Sequence, residues 1–568
     1  MDDEKKTEAD IAPEEKDDEK ITTADIAAAE KLMGIEYTPH ERDFMVDNLE
    51  GQIKAAQAQR EVVFPNSQPP ATTFDPRLPG KVIPTEQKPF VRSDNDPGPL
   101  PEADEDIAYA PLTALSEWLR TGQISSRRLT EIYLKRLKTF GPQLKCVVTL
   151  TEELALQQAD AADEKLRAGT YLGPLHGVPY GLKDLFDTQG IATTWGAAPY
   201  RTRVAERDAR IVELLRDAGA VLIAKTTLGA LAFGDIWFDG TTRNPWNPAE
   251  GASGSSAGSA STTAAGLVGF SIGTETLGSI TSPSQRCGTT GLRPTFGRVS
   301  RSGAMALCWS LDKIGPICRS VEDTALVLQA INGHDPADLS SGDVPFNFDA
   351  TRPVKGLRVG YIPSSFEAED ATDVDRAALE AAGRLGVELV EISLPELPYM
   401  SLMNILFAEA AAAFEELTLS DRDDELVRQD VGAWPNLFRK ARFMSAVDHV
   451  QLDRLRYQTM QALDKVFSDV DTMIGPFKID DMLVATNFTG HPCLLMRAGF
   501  VQSKSRGAAS LGDGKLTAGE ETPEDEIVYD VPHGISLWGR LYDEGLLCNM
   551  GLALEAELDV WSRRPPLA

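Results

Sequence analysis

Three stretches of the chain contain residues that could act together in nucleophilic catalysis. They are HGVPYGLKDLFDT (176–188) with Lys183, EGASGSSAGSASTTAAG (250–266) with Ser255, and SIGTETLGSITSPSQRCG (271–288) with Ser279. Ser279 follows a glycine in a run of small residues, and no histidine lies nearby. If Ser279 is a nucleophile, another side chain must accept its proton.

Lys183 is the candidate general base. Its neighbours in the chain are apolar, among them Leu182 and Phe186, and burial weakens the hold of a lysine amine on its proton. A decrease of the pKa from about 10.4 to about 7 to 8 would let the amine act as a base. Because Lys183 and Ser279 lie on different segments, the hydroxyl of Ser255 could pass the proton between them. The commoner situation for a single lysine is a solvated surface charge.

The loop before Ser279 could bind an oxyanion. Thr276, Leu277 and Gly278 offer consecutive backbone N–H groups. Small residues also let a substrate carbonyl approach the backbone closely. We therefore expect these three residues to form the oxyanion and substrate-binding site.

The glycine-rich run allows other interpretations. GSSAG (254–258) satisfies the GxSxG pattern of the nucleophile elbow of α/β-hydrolases, but that elbow directly follows a strand. Here the sequence before GSSAG is RNPWNPAEGA, which predicts a proline-broken loop. In addition, none of the six histidines is well placed to be the base that such a triad needs. The run lacks the GK[ST] ending of a phosphate loop and a GxGxxG pattern, which argues against nucleotide binding. A flexible linker is the simplest alternative.

Taken together, the three stretches resemble the amidase signature family of serine hydrolases, which use a Ser–cis-Ser–Lys triad. GVPYGLKDLFDT resembles the lysine motif of that family, SGSSAGSA its glycine- and serine-rich motif, and GTETLGSIT its nucleophile motif, usually GTDTGGSIR. The resemblance covers about residues 108–560 and is densest over 171–335. It implies Lys183 as the base, Ser255 as the cis-serine and Ser279 as the nucleophile.

The chain departs from the usual family motifs at four positions. Glu275 stands in place of aspartate and keeps the charge, and Ala257 replaces a glycine or serine. Leu277 replaces a glycine and would narrow the site near the oxyanion. Thr281 replaces a common arginine, so an ion pair would be lost. These changes leave the triad intact and the substrate preference open.

The resemblance implies an amidase that hydrolyses a small-molecule carboxylic amide to acid and amine through an acyl-serine intermediate. It implies no metal and no organic cofactor. Aryl amides, esters and carbamates are further substrates for the same machinery.

Two alternatives to this function remain. The chain could be the A subunit of a glutamyl-tRNA amidotransferase, a glutaminase that supplies ammonia and needs partner subunits. The long acidic and helical N-terminal extension and the LGS sequence at the nucleophile argue against this. The chain could also be a silent binding or scaffold protein, which the presence of Lys183, Ser255 and Ser279 together argues against.

Several aromatic residues near the motifs or in the C-terminal half could line a pocket for an aryl or acyl group. The candidates are Trp195, Phe233, Trp237, Trp246, Trp309 and Phe407. Ordinary core packing is the alternative for each of them.

Composition limits the partners and the compartment. The 568 residues include 56 Lys and Arg against 86 Asp and Glu, a formal net charge of −30, which suits a small neutral or cationic substrate better than nucleic acid. We expect no membrane partner, because no apolar run is long enough to cross a bilayer. The N-terminus lacks the apolar core of a signal peptide and the six cysteines show no CxxC spacing. We therefore expect a cytoplasmic protein with reduced, buried thiols, and leave open a signal removed before residue 1.

The elements that must position these motifs predict an α/β fold. Strands are predicted at 220–226, 357–362 and 387–392, and helices at 115–122, 125–141, 151–167, 372–385, 402–417 and 445–468. Asp208 is expected to cap a helix that ends at Gly219. Strands alternating with helices imply a large mixed β-sheet core covered by helices, the fold that the resemblance also implies.

The N-terminal region differs in composition from the rest. Residues 1–20 predict an acidic disordered tail, and residues 21–107 a helical extension followed by a proline-rich arm over 64–102. Thr38-Pro39-His40-Glu41 has the pattern of a capping box and predicts a helix to about Arg60. We expect residues 108–568 to form one amidase signature domain. The extension could form a homodimer contact or cover the main domain.

Overall fold

The structure is a computed structural model that describes residues 20–94, 96–510, 517–521 and 527–567. It contains two compact units: an N-terminal unit of residues 20–65 with 443–445, and a main unit of residues 66–442 with 446–567. The acidic tail predicted over residues 1–20 lies outside the described residues, apart from Lys20. The division of the chain at residue 107 stays a prediction.

The helices occupy much of both units. They are α1 Thr23–Met33, α2 Pro39–Arg60, α3 Asp104–Tyr109, α4 Leu112–Arg120, α5 Ser126–Leu144, α6 Glu152–Arg167, α7 Arg210–Asp217, α8 Ala257–Ala264, α9 Thr281–Cys287, α10 Val321–Ile331, α11 Pro363–Glu367, α12 Asp373–Arg384, α13 Met403–Ala413, α14 Glu415–Leu419, α15 Trp434–Ala441, α16 Ala446–Asp469, α17 Met482–Phe488 and α18 Glu544–Leu558. Short 3₁₀ helices cover Ala198–Tyr200, Ala230–Ala232, Tyr399–Leu402 and Arg422–Glu425. None of the helices among the described residues is both long and apolar enough to cross a bilayer.

The strands build one large sheet and three two-stranded ribbons. They are β1 Val147–Leu150, β2 Pro179–Lys183, β3 Val221–Thr226, β4 Ile236–Trp237, β5 Gly240–Thr241, β6 Arg243–Asn244, β7 Asn247–Gly251, β8 Phe270–Glu275, β9 Thr290–Arg293, β10 Lys313–Cys318, β11 Arg358–Tyr361, β12 Glu388–Glu391, β13 Thr472–Pro476, β14 Cys493–Ser503, β15 Arg506–Ser510, β16 Thr517–Glu521 and β17 Tyr529–Gly539. The large sheet has eleven strands in the order β1-β3-β2-β8-β10-β9-β14-β17-β13-β11-β12. Parallel and antiparallel pairs both occur and helices pack on the sheet, which confirms the α/β fold with a large mixed sheet.

Two capping boxes fix the starts of α1 and α2 in the N-terminal unit. Thr38 accepts the N–H of Glu41 at 3.3 Å, and Glu41 in turn accepts the N–H of Thr38 at 2.7 Å. This confirms the helix predicted from the Thr38 motif, which ends at Arg60. Glu30 of α1 and Arg42 of α2 form a bidentate ion pair at 2.7 and 2.8 Å. The pair holds these two helices together.

Two neighbouring parallel strands bring two of the motifs to one edge of the large sheet. β2 ends at Lys183 and pairs in parallel with β8, with Leu182 opposite Ile272. β8 ends at Glu275, directly before the loop of residues 276–279. Because the carboxyl ends of parallel neighbours meet at the same edge, Lys183 lies beside the loop that carries Ser279.

Helix α8 brings the third motif to the same place. It begins directly after Ser256, consists only of Ala, Gly, Ser and Thr, and is buried along its whole length. A Cβ added to Gly258 would lie 2.3 Å from the backbone nitrogen of Thr227, so a glycine is needed there. Ser259 Oγ donates to the carbonyl of Ile272 on β8 at 3.0 Å. Residues 257–264 of the run therefore form a packed helix, and the linker interpretation is wrong.

Two local predictions are also wrong. Asp208 does not cap α7, whose N-cap is Ala209 without a side-chain hydrogen bond. The carboxylate of Asp208 instead accepts the N–H of Gln189 at 2.8 Å and forms an ion pair with Arg216. The segment before GSSAG is not an irregular loop, because it contains strand β7, which pairs with β6.

Candidate active site

The amine of Lys183 is surrounded by hydroxyl groups. Lys183 is fully buried, and its Nζ donates to the hydroxyls of Ser255 at 2.8 Å, Ser256 at 3.0 Å and Thr274 at 2.7 Å. Within the described part of the chain it forms no ion pair. Three hydroxyls can accept from an ammonium. The Ser256 hydroxyl donates to the carbonyl of Thr274 at 3.1 Å, so those of Ser255 and Thr274 are left to donate to a neutral amine.

Burial determines the proton affinity of this lysine. Desolvation lowers the pKa of Lys183 well below the ordinary value of 10.5, against the opposing charges of Asp312 and Glu275. The sequence prediction of a buried lysine with a lowered pKa is confirmed in direction. A neutral amine 2.8 Å from the Ser255 hydroxyl can take its proton.

Ser255 and Ser279 lie on adjoining loops. The peptide bond between Gly254 and Ser255 is cis, and the N–H of Ser256 donates to the carbonyl of Ser279 at 3.1 Å. Ser279 is 8% exposed, and its hydroxyl has no hydrogen-bond partner among the residues that the structure describes. The two serine hydroxyls are therefore not bonded to each other here, and Ser279 lines a small cavity.

The loop before Ser279 presents free backbone donors. The N–H groups of residues 276–279 find no acceptor among the described residues. The Thr276 hydroxyl donates to Asp312 at 2.6 Å, and the carbonyl of Gly278, at φ +82°, accepts the N–H of Ser282 at 2.7 Å. These bonds fix the loop and leave its N–H groups available. Such free donors are what an oxyanion would require.

Glu275 holds this loop from behind. One oxygen of its carboxylate accepts the N–H groups of Ile280 and Thr281, both at 2.9 Å, and the other accepts from Arg293 at 2.8 Å. Burial alone would raise the pKa of Glu275, but the Arg293 charge and these hydrogen bonds lower it to about 2. The Thr281 hydroxyl also donates to Glu275, at 3.0 Å. Arg293 thus supplies the cation at Glu275, although Thr281 occupies a position where arginine is common.

Two adjoining cavities open at the site. The small cavity, about 60 Å³, is lined by Ser279 and Leu277, among others. The large cavity has a volume of about 700 Å³. Both include Ala232, Thr276 and Leu307 in their walls, so they meet at the loop of the candidate nucleophile.

Residues 66–79, called the arm segment below, form one wall of the large cavity. The side chain of Asn66 pairs with the backbone of Ala306 through two hydrogen bonds of 2.8 Å each. The ring of Phe74 lies 3.4 Å below the Arg456 guanidinium and contacts Phe296 edge-on. The first part of the proline-rich stretch, predicted over 64–102 as a linker or wrapping arm, therefore lines the large cavity.

The aromatic pocket candidates are divided between cavity and core. Trp309 lines the large cavity and Phe233 the small one. The other four line neither of these two cavities: Trp195, Trp237 and Trp246 are buried in the core, and Phe407 packs against it.

Sequence reasoning missed several residues of the site. Ser256 and Thr274 contact the lysine amine, and Lys478 lines the small cavity with Ser279. Lys478 lies two residues after the buried strand β13. A charged residue shortly after a buried strand is a usable signal, which could have singled it out.

Comparison with known proteins identifies the same region. The model of the family described as Amidase matches residues 128–548. The chain is 32% identical to the A subunit of the glutamyl-tRNA(Gln) amidotransferase of Chloroflexus aggregans, over 82% of this chain and 99% of that protein. It is 34% identical to the protein of the same description from Halorhodospira halophila, over 80% and 98% of the two chains. The crystal structure of native peptide amidase from Stenotrophomonas maltophilia superposes with a TM-score of 0.67 at 27% identity, over 82% and 99% of the two chains.

Proposed function

The chain belongs to the amidase family, and we propose that it hydrolyses a small-molecule carboxylic amide to acid and amine through an acyl intermediate on Ser279. One observation carries the proposal: a fully buried amine, Lys183, lies 2.8 Å from the Ser255 hydroxyl beside the loop of Ser279. The free N–H groups of residues 276–279 support it, since they can bind the oxyanion that forms when Ser279 attacks.

In the proposed first step, Ser279 Oγ attacks the amide carbon. Its proton passes to Ser255 Oγ while the proton of Ser255 passes to the neutral Lys183. The C–O bond forms as the carbonyl π electrons move to the oxygen, and the loop N–H groups bind the negative charge. Each such donor contributes about 100- to 1000-fold to the rate of acyl transfer.

In the proposed second step, the tetrahedral intermediate collapses and the C–N bond breaks. The leaving nitrogen takes a proton from the relay, which restores neutral Lys183, and the acyl group remains on Ser279. A water molecule then attacks the acyl carbon after giving its proton to the same relay. The departing Ser279 oxygen recovers that proton, and the acid leaves.

The test compares the wild-type protein with Ser279→Ala on anilides, aliphatic amides, carbamates and p-nitrophenyl esters. We expect the substitution to abolish turnover, because no acyl bond can form. Mass spectrometry of an acid-quenched reaction should show an acyl adduct on the wild-type peptide that contains Ser279. Ser468→Ala, which changes an exposed serine on α16, is the matched control. Full turnover by Ser279→Ala would refute the assignment.

A second candidate function is favoured by the relatives described as amidotransferase subunits. Such a protein would release ammonia from glutamine and pass it to a partner. The purified chain distinguishes the two candidates. Turnover of small amides by the chain alone supports the amidase, whereas glutamine hydrolysis that requires added partner subunits supports the second candidate.

A further inference from the structure

The small cavity contains a lysine that the proposed mechanism does not use. Lys478 lies two residues after β13 at φ +66°, a backbone conformation that a side-chain-bearing residue rarely adopts. Its Nζ donates to Ser282 Oγ at 3.2 Å, and Ser282 Oγ lies 2.8 Å from Ser253 Oγ. These three residues and Ser279 line the same cavity. Three polar groups are thus linked beside the candidate nucleophile.

Lys478 has no carboxylate partner among the described residues. Arg286 and Glu275 are the charged groups that act on it most strongly. Glu275 is already paired with Arg293 at 2.8 Å, and Arg286 with Glu250 at 3.4 Å. The charge of Lys478 is therefore left without a neutralising anion.

The remaining wall of the small cavity is largely apolar. It includes Phe233, Leu277, Leu307, Leu406 and Trp434. A cation beside such surfaces is costly unless an anion pairs with it. The volume of about 60 Å³ has room for a group of a few heavy atoms.

We propose that Lys478 binds a carboxylate carried by the substrate, so that the protein prefers amides with a free carboxylate a few atoms from the scissile carbonyl. The proposal rests on the proposed function, since Ser279 marks where the amide carbon must lie. The ammonium supplies the charge, and the Ser253 and Ser282 hydroxyls supply further donors to the carboxylate oxygens.

The test measures binding to the Ser279→Ala protein, so that it does not depend on turnover. The ligands are the monoamides of the dicarboxylic acids from malonic to adipic acid, each compared with its diamide. A carboxylate and a carboxamide have nearly the same shape and differ in charge. We expect at least one monoamide to bind about tenfold or more tightly than its diamide in isothermal titration at pH 7.

Substitution of Lys478 should remove this preference. We add Lys478→Met or Lys478→Gln to the Ser279→Ala protein and expect either double variant to bind the monoamide and the diamide equally. The Lys478→Gln variant covers the case in which Lys478→Met does not fold. Lys465→Met, which changes an exposed lysine on α16, is the matched control and should keep the preference.

The same preference should depend on pH without any substitution at Lys478. Desolvation and Arg286 lower the pKa of Lys478 to about 8, so its charge is present below pH 8 and lost above it. We expect the preference to disappear between pH 7 and pH 9.5. Glu275, whose pKa is about 2, stays ionised over this interval. Burial lowers the pKa of Arg286 and raises the pKa of Asp480 and Asp481, which follow Lys478 in the chain.

Three outcomes would overturn the proposal. The first is that the protein with Lys478 binds every monoamide and its diamide equally. The second is that none of these ligands binds. The third is that substitution of Lys478 weakens the binding of monoamides and diamides by the same factor. The last outcome would assign Lys478 to the amide oxygen itself. A failure of the proposed function would appear elsewhere, as turnover that survives Ser279→Ala.

Discussion

At the scale of single residues, the partners of a buried lysine distinguish a structural role from a chemical one. Lys225 and Lys183 are both fully buried on neighbouring strands. Lys225 forms an ion pair with Asp184 at 2.9 Å, whereas Lys183 contacts hydroxyls. An amine without a counterion gives up its proton more easily, which suits Lys183 to the role of a base.

The first prediction concerns the protonation of Lys183. Because the neutral amine is the active form, kcat/KM should rise with pH through a pKa well below 10.5. Lys183→Met should lower kcat/KM at least about a hundredfold. Lys183→Arg should be as inactive, since a guanidinium keeps its proton and cannot serve as a base.

The measurement is kcat/KM against pH on the best amide of the panel. Circular dichroism of each variant provides the control for folding. Substantial activity of Lys183→Arg would show that position 183 acts through its charge rather than as a base, and would contradict the proposed relay.

At the scale of elements, the arm segment changes the shape of the site without contributing to the chemistry. It has no helix or strand of its own between Asn66 and Pro79. Contacts of individual side chains hold it instead, with Asn66 bonded to Ala306 and Phe74 held under Arg456. A wall without a helix or strand of its own can be altered without disturbing the sheet, at whose edge the candidate residues Lys183 and Ser279 lie.

We therefore predict that Phe74→Ala changes substrate size preference. Loss of the ring removes a cation–π contact and enlarges the large cavity, so the ratio of kcat/KM for a bulky anilide to that for a small aliphatic amide should rise about three- to tenfold. Val82→Ala, at a residue 94% exposed and outside the cavity, should leave the ratio unchanged. An unaltered ratio in Phe74→Ala would mean that the arm segment does not limit the substrate.

At the scale of the whole molecule, charge limits what the chain can bind. A net charge of −30 repels a polyanion in solution and weakens any contact with a phosphate backbone. We predict that the purified chain retains no tRNA in a filter-binding assay at about 10 μM protein and about 0.15 M salt. Retention that weakens steeply with added salt would contradict this and would favour the amidotransferase candidate.

The elements could be predicted from sequence wherever a local pattern decides them. The Thr38 capping box fixes the start of α2, and the short apolar run at the start of β3 favours a buried strand. Prediction failed where hydrogen-bond partners outside the local pattern decide the conformation. Asp208 would cap a helix in isolation, but Gln189 and Arg216 take its oxygens. β7 is extended because β6 lies beside it.

The sequence by itself determined the family, the α/β fold and the identity of Lys183, Ser255 and Ser279 as the candidate triad. Their chemistry lies in short motifs, and a motif can be recognised before it is folded. Only the tertiary structure decided what surrounds them. Lys478 and the arm segment are far from Ser279 in the chain and carry no motif. Sheet order and side-chain packing bring them to the same cavities, and contacts of that kind depend on distances that a linear pattern does not contain.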